Sequence, residues 1–222
     1  MKKTLLFTAI ASCLALAPLA HAQFGGLGAA APSIPGGGGG GATPADIDAF
    51  LSAATIADTL VVEASKSLFN AVASKESREK VEALTKAANA ITDPKERQAK
   101  LDQASKEQNA EFAKVDFKKS GEALAKSADA KQKDATKNAI WNLALGALKD
   151  VELVASGRKF VSGPPSPAIA GKIPAVKETI ERLSSQAEAL PKVVEGAKGL
   201  MKAVGLEALP TKASEAPKTG SI

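Results

Sequence analysis

Nine apolar residues near the end of the chain are separated by alternating steps of four and three: Val176, Ile180, Leu183, Ala187, Leu190, Val194, Ala197, Met201 and Val204. A repeat averaging about 3.5 residues keeps one stripe of a helix turned toward a partner helix, which is how bundles are seamed. It does not suit a strand, whose side chains change face at every residue. A helix over 174–205 is predicted, about 45 Å long at 1.5 Å per residue. Pro191 is the one position where it should bend.

The same periodicity runs through most of the chain. Thr43, Pro44 and Asp46 supply a cap, a first-turn proline and a charge that suits the positive end of the helix dipole. From there Ile47, Phe50, Ala54, Ala57, Val61, Ala64, Leu68 and Ala71 share a face. Ser74 to Ser77 interrupt the pattern, and Val81, Leu84, Ala88 and Ile91 resume it. Asp93, Pro94 and Glu96 open another helix carrying Leu101, Ala104, Phe112 and Val115. The stretch "NAIWNLALGALKDVELVAS" is expected to form the central helix of the core. Its face is read as Ile140, Leu143, Ala147, Val151 and Val154, widened by Trp141, Leu145 and Leu148, and its end as Gly157, followed by a Pro- and Gly-rich break.

No strand-like alternation and no repeat of 20 to 50 residues is found. The apolar content is carried by Ala, Leu and Val, with one Trp and seven Phe, a thin core that suits helices packed at close range. The expected fold is all-α, a bundle of four or five long antiparallel helices. A coiled-coil oligomer joined through the 174–205 seam is the structural alternative.

The beginning of the chain sets the expected address. Lys2 and Lys3 precede an apolar run to about Leu19 and the small-x-small pattern Ala20-His21-Ala22, the form of a secretory signal peptide. The run is short for a membrane span. Residues 1–22 are read as a signal peptide, 23–43 as a flexible Gly/Ala/Pro-rich tether, 44–206 as the helical domain and 207–222 as a disordered tail. The protein is thus expected to be periplasmic or secreted. Ile10-Ala11-Ser12-Cys13 also resembles a lipobox, which gives anchoring through a lipid on Cys13 as the alternative.

Cleavage after Ala22 would remove the only cysteine, Cys13, and the only histidine, His21, from a chain that has no Tyr. What remains has no side chain for an ordinary zinc or copper site, and none for a Ser-His-Asp or Cys-His arrangement. No cofactor and no enzymatic activity are expected. Ser77-Arg78-Glu79-Lys80 and Lys218-Thr219-Gly220 match elements of penicillin-binding enzymes, but the second lies in a polar tail and not on a strand beside the first. The net charge of +5 falls to +3 without Lys2 and Lys3, and Lys outnumbers Arg about six to one. Neither feature favours nucleic acid.

Binding is what these residues leave. The lysine group that includes Lys118, Lys119, Lys131 and Lys133 is a candidate surface for an anionic envelope component or an acidic protein. Arg158, Lys159 and Phe160, in the expected break between helices, are the other candidates. Val193, Val194, Ala197, Leu200, Met201 and Val204 lie opposite Lys192, Lys198 and Lys202, as in a helix resting on a membrane surface. The expected function is that of an exported, non-catalytic helical protein of a bacterial envelope, a scaffold, adaptor or chaperone-like component. The alternative from a different class is a carrier of an apolar ligand or lipid within the bundle.

Overall fold

A computed structural model of the chain describes residues 42–162 and 166–218. The predicted signal peptide, with Cys13 and His21, the tether up to residue 41, and Thr219 and Gly220 lie outside these residues. Among the described residues the chain is all-helical, with six α-helices and one 3-10 turn. They are α1 Pro44–Val72, α2 Lys75–Asn89, α3 Pro94–Phe112, α4 Phe117–Ser127, α5 Ala130–Val161 and α6 Ile173–Val204, with the 3-10 turn Ala170–Lys172 leading into α6.

The expected set of four or five long helices is corrected: only α1, α5 and α6 are of that kind. The periodicity from Ile47 to Ile91 is cut at Ala73 and Ser74, both in extended conformation, where the Ser74 side chain accepts from the backbone N–H of Ser77 and starts a new helix. Residues 117–127 form a short helix of their own, because Asp116 accepts from the N–H groups of both Lys118 and Lys119. Asp129 and Gln132 then form a capping box that starts α5 well before the expected position. At the front, Thr43 caps α1 as expected, and the Asp46 side chain completes a capping box with it.

The core is a three-helix body. Phe50 and Ile180 meet at Gly157 of α5, and Val61 meets Gly146, so α1 runs antiparallel to α5. Lys172 reaches Asp48, and Gln186 and Arg182 reach Asp58, so α1 and α6 run parallel. The glycines set the spacing: a methyl on Gly157 would stand 2.8 Å from both Phe50 Cζ and Ile180 Cγ1, and one on Gly146 would collide with Val61. Helix α4 lies on the second half of α6, where Phe117 covers Gly196 and a methyl on Gly121 would approach the Gly199 oxygen to 3.0 Å.

Of the face assigned to α5 from sequence, Ile140, Leu143 and Val154 are buried and Ala147 is half-buried, while Val151 is turned outward. The buried stripe is Ala139, Leu143, Gly146, Asp150, Leu153 and Gly157, whereas Val151 is 56% exposed. Gly157 does not end the helix, which continues to Val161 and places Phe160 edge-on to Phe50 with ring centroids 5.6 Å apart. Of the α6 seam, Val176, Ile180, Leu183, Leu190, Val194, Ala197 and Val204 are buried within the chain. A second chain could use them only by opening the bundle.

Helices α2 and α3 form an antiparallel arm, packed chiefly on each other. Its root joins the core through Val81 and through Phe112, which lies between Phe69 and Phe117 with centroids 6.1 and 5.4 Å away. Farther out the seam thins to Ala88 and Ala104 as its buried apolar residues.

The expected disordered tail is also corrected as far as Lys218. Gly205, at φ 67°, ends α6 in the left-handed conformation, and Leu206 N–H donates to the Met201 oxygen across it. The chain then returns along α5. Lys149 Nζ donates to the Ala213 oxygen at 2.7 Å and Trp141 Nε1 to the Ala216 oxygen at 3.2 Å. Asn142 exchanges two hydrogen bonds with the Lys218 backbone, at 2.9 and 2.8 Å.

Candidate functional site

The core is divided by charge. One hydrophobic cluster takes Val61 to Val72 of α1, Ala139 to Ala144 of α5 and Leu190 to Val204 of α6; the other takes Ile47 to Ala57, Leu153 and Val154, and Val176 to Leu183. Between them each long helix contributes a polar side chain. Asp58 of α1 accepts from Arg182 Nη1 and, at 3.0 Å, from Gln186 Nε2, both on α6 one turn apart. Only 14% and 12% of the Asp58 and Arg182 side chains are exposed, and Gln186 is fully buried.

Helix α5 brings Asp150 to this waist. It lies one turn beyond Gly146 and two turns before Gly157, on the stripe that faces α1, and is fully buried. Neither carboxylate oxygen has a hydrogen-bond partner among the described residues. Burial alone pushes its carboxyl up to about 8, so the residue is neutral in the folded chain below that pH. Groups displaced this far from their ordinary range concentrate at functional sites, although structural layers produce them too.

A second feature opens at the C-terminal end of α1. A cleft of about 450 Å³ is lined by residues of α1, α2, α4 and α5. Val72, Ala73, Leu124 and Thr136 form its buried floor, and Ser67, Asn70, Arg78 and Gln132 stand around it. Arg78 donates through Nη1 to the Asn70 carbonyl oxygen at 2.8 Å, and Ser120 Oγ to that of Val72 at 3.2 Å.

Beside it, Ser77 and Lys80 are engaged across the arm. Ser77 Oγ donates to Glu111 Oε2 at 2.9 Å, and Lys80 Nζ to Glu107 Oε1 at 2.5 Å. Hydrogen bonds from Lys114 and then Ser77 hold the Glu111 carboxyl down to about 2, while donating to the Glu107 carboxylate raises the Lys80 ammonium. A serine awaiting activation would need an unprotonated lysine beside it. This lysine is held in its charged form.

The residues singled out from sequence are not brought together. Arg158 and Lys159 are exposed in the last turns of α5, and Phe160 is half-buried against Phe50, so the three lie on a helix and not in a break. Lys118 and Lys119 are exposed at the start of α4, whereas Lys131 and Lys133 lie beyond its other end, in the first turn of α5. The 11-residue α4 between them is about 16 Å long. Lys133 turns its Nζ to the Ala125 oxygen at 3.4 Å. Sequence reading missed Asp58, Arg182, Gln186, Asp150 and the cleft. Its available signal was the glycine pair 146 and 157, which sets Asp150 on their own stripe.

Among the described residues no three His, Cys, Asp or Glu side chains gather as a metal-holding group, and no helix is long and apolar enough to cross a membrane. Compared with known proteins, the chain matches no family, no curated protein and no solved structure.

Proposed function

We propose that the chain is an exported, non-catalytic helical protein of a bacterial envelope that acts by contact with another macromolecule, as a scaffold, adaptor or chaperone-like component. The observation that carries this reading is the α2–α3 arm. It is rooted in the core at Val81 and Phe112, pairs chiefly with itself, and carries exposed charged side chains such as Lys75, Glu79, Glu82 and Lys86 along α2. An arm of this kind adds little to the burial that stabilises the body, which leaves its outer faces for a partner. Export rests on Lys2, Lys3, the apolar run and Ala20-His21-Ala22.

Carriage of an apolar ligand inside the bundle has less support, because the helices close on Gly146 and Gly157 without room for one methyl group. Photo-crosslinking in the envelope tests the contact reading. Crosslinkers at Glu82, Lys86 and Lys100 of the arm are expected to give a discrete adduct, and crosslinkers at Glu152 and Glu181 of the body are not. Adducts from the body alone, or none from the arm, would refute it. The intact mass of the exported protein tests the address: it should begin at Gln23 without lipid.

A further inference from the structure

The cleft at the end of α1 presents donors around an apolar floor. Its lining holds one charge, Arg78, and no carboxylate. Among the described residues Arg78 is in no ion pair, and its hydrogen bond to the Asn70 oxygen leaves most of the five guanidinium N–H groups free while holding the group at the rim. A helix C-terminus ordinarily repels an anion through its unpaired carbonyls. Here three of the last four are covered: Phe69 O accepts from the Ala73 N–H at 2.8 Å, Val72 O from Ser120, and Asn70 O from Arg78 itself. Gln132 commits its oxygen to the Asp129 N–H and so turns only its amide donors outward. Behind these groups lie Val72, Ala73 and Leu124, with Ala128 and Ala135 as walls. The volume, about 450 Å³, falls within the range of small-molecule sites.

We propose that this cleft binds a single-chain anionic amphiphile, its carboxylate or phosphate head on the Arg78 guanidinium and its hydrocarbon chain on Val72 and Leu124. Arginine meets both heads with paired hydrogen bonds, and the small alanine walls let a chain lie against the floor. The site is separate from the outer faces of the arm, so it stands whether or not the arm contacts a partner.

Titration of the purified full chain with decanoate, followed by amide chemical shifts, tests the assignment. Inorganic phosphate supplies the charge without the chain, and decanol the chain without the charge. Saturable binding of decanoate is expected, with shifts centred on Leu124 and Ala135, and at least tenfold weaker binding of phosphate and of decanol. Arg78→Gln is expected to weaken decanoate at least tenfold. Ala123→Glu, an exposed change on the cleft wall, should do the same by adding a carboxylate, and it decides the matter if the Arg78 variant loses its fold. Phosphate binding as tight as decanoate would overturn the amphiphile assignment in favour of a free-anion site, and decanol binding as tight would overturn the role of Arg78. Absence of saturable decanoate binding, or binding unchanged in Ala123→Glu, would overturn the site.

Discussion

Replacing Asp150 with Asn isolates the effect of a buried carboxyl on stability. The substitution keeps shape and burial and removes the ionisation. In the folded chain the carboxyl is pushed up to about 8 by burial, whereas in the unfolded chain it titrates near 3.9. Between these values the folded chain holds a proton that the unfolded chain has released. The stabilisation is therefore complete below about pH 4, declines by about 1.4 kcal/mol per pH unit, and is lost as the pH passes 8. From pH 5 to pH 7 the wild type should lose about 2.7 kcal/mol, which in a protein of this size lowers the melting temperature by roughly 5–11 °C. The window is clean, because the only histidine is His21 and Glu111, held at about 2, has finished titrating below it. Urea unfolding at half-unit steps of pH measures the slope. Asp150→Asn should abolish it, and at pH 7 the variant should have gained about 2.7 kcal/mol on the wild type relative to pH 5. A wild type whose stability is level from pH 5 to 7, or an Asp150→Asn variant with the same slope, would refute the burial of Asp150 as an unpartnered group.

Other residues carry expectations of their own. Gly146→Ala drives a methyl into Val61 and should destabilise by about 1–3 kcal/mol in thermal unfolding; Val61→Ala in the same chain should recover part of the loss. Arg182→Leu removes the cation beside a nearly buried Asp58 and should cost about 3 kcal/mol, while Asp58→Leu combined with it should restore much of the stability, since a paired charge set often exchanges for apolar residues at little cost. Truncation after Pro210 strips the hydrogen bond from Trp141 Nε1 and the Lys218 ammonium 3.8 Å above its ring; emission from the only tryptophan should shift to the red with helix content retained. Amide hydrogen exchange should be fastest in the arm, where α2 buries only Val81 and Ala88.

The parts of the fold legible in the sequence are those written in local chemistry. Thr43 with Asp46 and Asp93 with Pro94 open α1 and α3 where they were expected, because a cap needs only residues three apart. The α6 seam was legible because its apolar spacing is unbroken. The count of helices was legible only in part: the interruption at Ser74 was read, whereas Asp116 and Asp129 act as caps inside a polar stretch whose pattern continues across them. The returning tail was illegible for another reason. Lys149, Trp141 and Asn142 hold it by its backbone, contacts that leave no pattern in the segment that is held, and its buried Ala213 and the Lys218 ammonium over Trp141 follow no periodicity.

Asp150 escaped sequence reading because its burial depends on where glycine permits contact, and the cleft because it is assembled from residues of four helices. On hydrophobicity alone α5 should turn Val151 inward and Asp150 outward. The structure reverses this, with Val151 56% exposed and Asp150 at 0%. Rotating α5 to bury Val151 would move Gly146 and Gly157 off the interface and force larger side chains between helices. Close contact along α1 and α6, with Phe50 and Ile180 seated on Gly157, gains more dispersion and burial than one valine offers, and the cost of the aspartate is limited because it can take up a proton. An acid on a glycine stripe is thus a sequence signal for a neutral buried carboxyl. Arg78 keeps its charge in water, and its Nη1 is held by the Asn70 carbonyl oxygen at the end of α1, eight residues earlier.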